Sequence, residues 1–348
     1  MVSVSHSSAK EFINYLRFLH ENPISSIQSG PNKEFQKIHE EKIKKLNQSN
    51  EHQNVSSSHN HIAKELWESL RGILPSQIVD DLSGVIAVGA LDNMSVNALC
   101  AKSVDGYIAV LINTGLMTLL NKLSKMQIAS TRPGSIRYCN RAQPEDISVA
   151  TLKKWNLEVC EHYRHTGKPL GPQIHLHSDA EGMHATQLNI WEMYVLSHEI
   201  GHILCGHLDS SKFVTKNPLF GMIETLEENK SHEMESEADF IGYILLREYY
   251  HKGSIRKSPN NESIKDDRGL VSILITFYNL LYLLGASEST THPHPLDRLC
   301  NIVLNAYGEK VAETLADSYD NHGLLIKLFE RPLVVKNMAI EGILSNAE

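Results

Sequence analysis

Apolar residues recur at three- and four-residue spacing in some stretches and at alternate positions in others, and the two periods divide the chain into helices and short strands. Residues 9–20 place Phe12, Leu16 and Leu19 on one helical face, and 32–47 carry a thinner stripe of Phe35, Ile38, Ile43 and Leu46 among many charges. Both read as exposed helices. Residues 48–60, QSNEHQNVSSSHN, are polar and serine-rich, the composition of a mobile connection. They set a boundary between a helical N-terminal region with its linker, 1–60, and a single larger domain over 61–348. Ile62, Leu66, Leu70 and Leu74 at four-residue spacing predict a helix over 62–74.

The period then changes. Residues 84–91 (GVIAVGAL), 96–101 and 107–112 read as short strands, the last two joined across Asp105-Gly106, a pair that favours a hairpin. A small antiparallel sheet is the expected result. Thr114 is placed to cap a helix running to about residue 125; 129–147, with two prolines, reads as loop, and 148–165 as helix. Gln173-Ile174-His175-Leu176-His177 is apolar at alternate positions between Pro172 and Asp179, a short strand. Helical patterns follow over 191–207 and 231–250, with a long polar loop over 251–268. Residues 270–286 are uncharged but shorter than the roughly 20 residues of a membrane span, and they include Asn279, so they read as a buried core helix. The fold class is α+β, mostly helical with a small antiparallel sheet.

Composition narrows the function classes. A chain of 348 residues with 41% hydrophobic content can bury a large core. The formal charge of -8, from 33 basic and 41 acidic side chains, argues against a nucleic-acid or membrane partner. Cys100, Cys139, Cys160, Cys205 and Cys300 are odd in number, widely spaced and form no C-x-x-C pair, which fits a reducing cytosol rather than a disulfide framework or a structural zinc knuckle. The start, MVSVSHSSAKEF, lacks the features of a secretory signal, so a cytoplasmic location is expected.

The chemistry concentrates in residues 191–207, WEMYVLSHEIGHILCGH. His198-Glu199-Ile200-Gly201-His202 matches H-E-x-x-H: residues four apart share a helix face about 6 Å apart along the axis, so His198 and His202 can offer imidazole nitrogens to one ion. Glu199 lies about 100° further round, suited to act as a base on water. Trp191, Val195 and Cys205 continue the histidine stripe, which makes the metal face the buried face. A third ligand comes from Glu235-Ser236-Glu237-Ala238-Asp239 on the next helix. Glu233 and Glu237 compete for that role, but only Glu235 shares its stripe with Asp239 and Gly242; Gly242 would let the two helices approach closely. His198, His202 and Glu235 leave one position open, as in a catalytic zinc site, and Asp239 is placed to accept the other ring N–H of a ligand histidine. His207 reads as a helix-end histidine, and the His175/His177 pair as incidental in a chain with 19 histidines.

HEIGH, ESEAD, Thr291-His292-Pro293 and Arg298 five residues after the proline, taken together, resemble the gluzincin metallopeptidases that include the CAAX prenyl proteases and the bacterial heat-shock membrane protease. The order of elements over about 84–306 is similar, more closely still, to the Lit family of phage-exclusion proteases. The resemblance implies a zincin-like domain with Zn2+ on His198, His202 and Glu235, Glu199 as catalytic base, Asp239 behind the ligands, and His292 and Arg298 near the site. His292 would donate to a substrate carbonyl or oxyanion, with a histidine fixed in a proline-rich turn as the plainer reading; Arg298 reads as an ion-pair partner. The resemblance further implies a cytosolic endopeptidase in antiviral defence, acting on a protein substrate, translation elongation factor Tu, once a phage component activates it. Two rivals stand beside it: a non-catalytic zinc-binding sensor or interaction module on the same fold, and a membrane-associated prenyl-protein protease, disfavoured by the lack of long apolar spans.

Overall fold

The computed structural model describes residues 5–21, 57–132, 134–209, 228–255, 267–284, 293–310 and 312–313. It is α+β: mostly helical, with one sheet of three strands and one of two. The expected helix over 32–47 lies outside the described residues. The expected boundary at residue 60 falls inside a helix, and the chain groups instead into two compact units, Met1–Met117 with Gly206–Glu224 and Thr118–Cys205 with Thr225–Glu348.

The first unit is built on β1 (Ile86–Leu91), β2 (Ala98–Lys102) and β3 (Ile108–Asn113), in the order β1-β3-β2. β3, buried along its whole length, is the central strand. The hairpin at Asp105-Gly106 forms as expected: Gly106 takes φ 87°, a conformation that costs a residue without Cβ nothing, and its N–H donates to Ser103 O at 3.1 Å. The sheet is nonetheless mixed rather than antiparallel. Residues 92–97 carry the chain past β3, so that β1 pairs parallel with β3 in the register Ile86↔Ile108 while β2 pairs antiparallel.

α1 (Ala9–Glu21) is not the exposed helix expected of it. Phe12 and Ile13 form one cluster with Leu91, Ala101, Ala109 and Leu111, and Leu16 packs against it, because the sheet would otherwise leave an apolar face in water. Its start is tied down by Asp105, whose carboxylate accepts from Ser5 Oγ at 2.8 Å and His6 N at 2.6 Å. α2 (Ser57–Arg71) begins within the stretch read as linker. It buries Ala63, Leu66 and Leu70 and leaves Ile62 exposed. Leu74 is buried in the turn before α3 (Ser76–Leu82). Along the outer edge of β1, Arg17 Nε donates to Ala90 O and Asn60 Oδ1 accepts from Ala90 N, so side chains satisfy a backbone pair that a neighbouring strand would otherwise take.

The division between the units falls within α4 (Thr114–Thr131), which extends past the expected end near 125. In the second unit the segment 129–147 is not all loop. It contains β4 (Ile136–Cys139), which pairs antiparallel with the expected strand β5 (Ile174–Leu176), and a short 3-10 turn, Pro144–Asp146. α5 (Val149–Thr166) starts on Ser148, whose hydroxyl accepts from Thr151 N, and stops at Gly167 in the left-handed conformation. α6 (Ser178–Leu204) follows β5 directly and makes the unit's most extensive helix packing with α7 (Glu228–Ile255). α7 runs into the segment read as polar loop; 256–266 lie outside the described residues. α8 (Arg268–Leu283) is the expected core helix, burying Leu270, Leu274, Tyr278 and Leu280, and α9 (Pro295–Tyr307) packs on α7 and α8. Among the described residues no helix is long and apolar enough to cross a membrane.

Polar pairs fix α6 against α4. His184 Nδ1 lies 3.0 Å from Ser124 Oγ, and Gln187 Nε2 donates to Gln127 Oε1 at 2.7 Å. Burial, aided by nearby Lys125, pushes the His184 ring down to about 4. The unfolded chain therefore binds a proton below pH 6.5 that the native state refuses until about pH 4, so stability falls as pH falls across that window. Urea unfolding at pH 7 and 4.5 is expected to show this loss, and His184→Gln to reduce it.

Candidate metal centre

α6 and α7 can cross closely because each lacks a Cβ where they meet. A methyl at Gly242 would lie 2.9 Å from His198 Cα and N, and one at Gly201 would lie 2.6 Å from Ala238 O. Both obstacles are backbone, so neither can be relieved by a side-chain rotation. Gly242→Ala is expected to cost about 2–3 kcal/mol through overpacking, measured by urea unfolding, and to spread the histidine and glutamate donors apart.

The close crossing brings His198, His202 and Glu235 together as a candidate metal site. His198 Nε2 and His202 Nε2 are 3.2 Å apart; Glu235 Oε2 is 3.5 Å from the first and Oε1 3.5 Å from the second. Two donors about 2.0–2.1 Å from a common tetrahedral ion stand about 3.3 Å apart; the His–His separation matches this, and Glu235 presents a different oxygen at a similar distance to each histidine, so the three side chains are placed for one ion of zinc's size. The tautomer fits as well. His198 Nδ1 stands 2.9 Å from Asp239 Oδ1, so a proton kept on Nδ1 beside that carboxylate leaves the Nε2 lone pair for the centre. Glu235 is buried, whereas Glu233 and Glu237 are exposed, so the stripe argument and the structure select the same carboxylate.

Electrostatics hold positive charge at this point. Burial opposes ionisation of His198, but Asp239 and Glu235 outweigh it and raise the ring to about 10. Asp239, wholly buried, would be pushed up by burial; Arg298 and His198 instead hold it well below the usual carboxylate range. Arg298 grips Asp239 by both oxygens, Nε to Oδ2 and Nη2 to Oδ1, each at 2.6 Å, and stands 3.7 Å from Glu235 Oε2. It is the ion-pair partner the sequence suggested. Half-buried Glu199 is pushed up to about 7, first by burial and then by Glu235, against the opposing charges of His198 and Arg298.

Of the other residues singled out from sequence, Trp191 is buried on the expected stripe and donates from Nε1 to Ile273 O at 3.1 Å, while Val195 and Cys205 are half-buried. His207 does not continue α6; it sits after Gly206 (φ 71°) in the 3-10 turn His207–Asp209. His175 is exposed on β5 beside the Tyr138 ring. His292 lies outside the described residues. Sequence reasoning missed Tyr194, whose hydroxyl donates to Asp239 Oδ1 at 3.0 Å, and Tyr278, 2.5 Å from the Tyr194 hydroxyl. Tyr194 stands four residues before His198 on the same helix face, a signal that was there to read; Tyr278 comes from a separate helix and carries none. Comparison with protein-family models, with curated proteins and with solved structures gives no match.

Proposed function

We propose that this chain is a zincin-like, zinc-dependent endopeptidase, with a cytosolic protein as substrate. One observation carries the reading: two imidazole nitrogens and a carboxylate converge closely enough to serve one ion, with the residue between the histidine positions that a peptidase needs as base, Glu199, left out of the converging set. His198, His202 and Glu235 would hold the ion. Zinc, when bound, supplies a Lewis acid that polarises a carbonyl and makes water more acidic. Glu199 takes the proton of the attacking water and passes it to the leaving amine. Asp239 holds His198 in the tautomer that points Nε2 at the centre, and Arg298 holds Asp239.

The resemblance to the Lit family extends the proposal to a substrate and a trigger, translation elongation factor Tu and a phage component that releases a latent enzyme. Two measurements on the purified protein test the reading together: bound zinc, and fragments produced in bacterial lysate with or without extract of phage-infected cells. One equivalent of zinc and a new fragment that disappears with chelator are expected, and the fragment's identity tests the substrate. Stoichiometric zinc with no fragment under any condition favours the sensor or interaction module instead. Absence of zinc defeats both.

A further inference from the structure

Asp239 has more donors than its position requires. Arg298 alone fixes the carboxylate, reaching Oδ2 through Nε and Oδ1 through Nη2. The Tyr194 hydroxyl also donates to Oδ1, at 3.0 Å, and His198 Nδ1 stands 2.9 Å from the same oxygen. Two hydrogen bonds thus already engage the oxygen that faces His198 Nδ1, and it presents two lone pairs. Behind Tyr194 the Tyr278 hydroxyl lies 2.5 Å away, and the Arg298 guanidinium carbon is 5.9 Å from the Tyr278 ring centroid. Both tyrosines are almost wholly buried, so water does not replace these bonds.

Tyr194 is therefore not needed to place Asp239. What it adds is a proton on the same oxygen that His198 uses, and a carboxylate oxygen already engaged by one donor accepts more weakly from the next. Tyr278 sustains the effect from behind Tyr194. With Tyr194 donating to Asp239, Tyr278 donates to the Tyr194 oxygen and strengthens that bond.

We propose that Tyr194 and Tyr278 are positioning residues that act through Asp239, moderating its pull on His198 Nδ1–H and so setting how tightly the centre of His198, His202 and Glu235 holds its metal. The inference rests on the metal-centre reading. Relieved of the tyrosine pair, Asp239 accepts more strongly from His198, Nε2 becomes a better donor, and the cation is held more tightly.

The test uses the full chain and the double variant Y194F/Y278F, which removes both hydroxyls and leaves neither buried without a partner. Zinc dissociation is measured by competition with a chelator of known affinity, and the cobalt(II) form is compared by its visible d–d bands. The expected result is zinc binding about three- to tenfold tighter than wild type, less than the 10–100-fold typical of a direct partner of a ligand, with displaced cobalt bands. Y194F alone, which removes the hydroxyl that touches Asp239, shifts in the same direction and serves where the double variant does not fold. The melting temperature of the metal-free protein reports any purely structural contribution separately. Zinc binding equal to or weaker than wild type, or superimposable cobalt spectra, overturns the proposal. A wild-type protein that binds neither ion removes the metal-centre reading itself, a failure distinguishable from the first.

Discussion

Glu199→Gln is expected to retain one equivalent of zinc and to lower kcat for peptide cleavage by about a thousandfold, within the roughly 10²–10⁴ range of positioned acid–base groups. The substitution is nearly isosteric and touches none of the three groups whose donors converge, since His198, His202 and Glu235 remain in place. A glutamine cannot take a proton from water, so the loss falls on the chemical step. KM should move little, because the missing function is exercised in the transition state. The variant should also be no less stable than wild type: burial already works against the ionised carboxylate at this position, and the neutral amide escapes that cost. Zinc content by chelator titration and steady-state kinetics on one substrate check the two halves separately. Undiminished turnover with zinc bound would remove Glu199 from the mechanism and leave the metal centre standing.

The centre was legible in sequence to the extent that it depends on local geometry. His198 and His202 turn to one point because a helix repeats every 3.6 residues, and Glu235, Asp239 and Gly242 share a stripe for the same reason. Nothing in that reasoning needed the rest of the fold. Features set by distant segments were not legible. The parallel pairing of β1 with β3 depends on which side of β3 the segment 92–97 passes, and no local pattern encodes that. α1 read as an exposed helix because its stripe of Phe12, Leu16 and Leu19 is narrow; the burial of Phe12 and Ile13 follows from a sheet face formed about 80 residues later. β4 was hidden because its four residues bury only the two ends, Ile136 and Cys139, a pattern that does not alternate. Tyr278 was read correctly as part of a core helix, but its hydroxyl acquires meaning only from Tyr194 on another helix.

Asp239→Leu is expected to be the most disruptive single change in the second unit, because that one buried carboxylate serves two purposes that a second substitution can separate. Removing it strands the Arg298 guanidinium, which is only 13% exposed, leaves the Tyr194 hydroxyl without its acceptor and takes the carboxylate away from His198 Nδ1. Breaking a buried ion pair from one side typically costs about 3–5 kcal/mol, and urea unfolding of the metal-free protein should show a loss of that order. Zinc binding should weaken by at least about 10–100-fold, since the ligand histidine loses the partner that fixes its tautomer and an unneutralised cation now stands beside the centre. In Asp239→Leu/Arg298→Met neither charge remains, and apolar side chains of similar length replace them. Stability is expected to recover, as buried pairs replaced on both sides usually cost little. Zinc affinity is expected to stay low, because His198 still has no acceptor on Nδ1. Recovery of both quantities in the double variant would show that Asp239 acts on the metal only by offsetting Arg298; recovery of stability alone assigns it the orientation of His198.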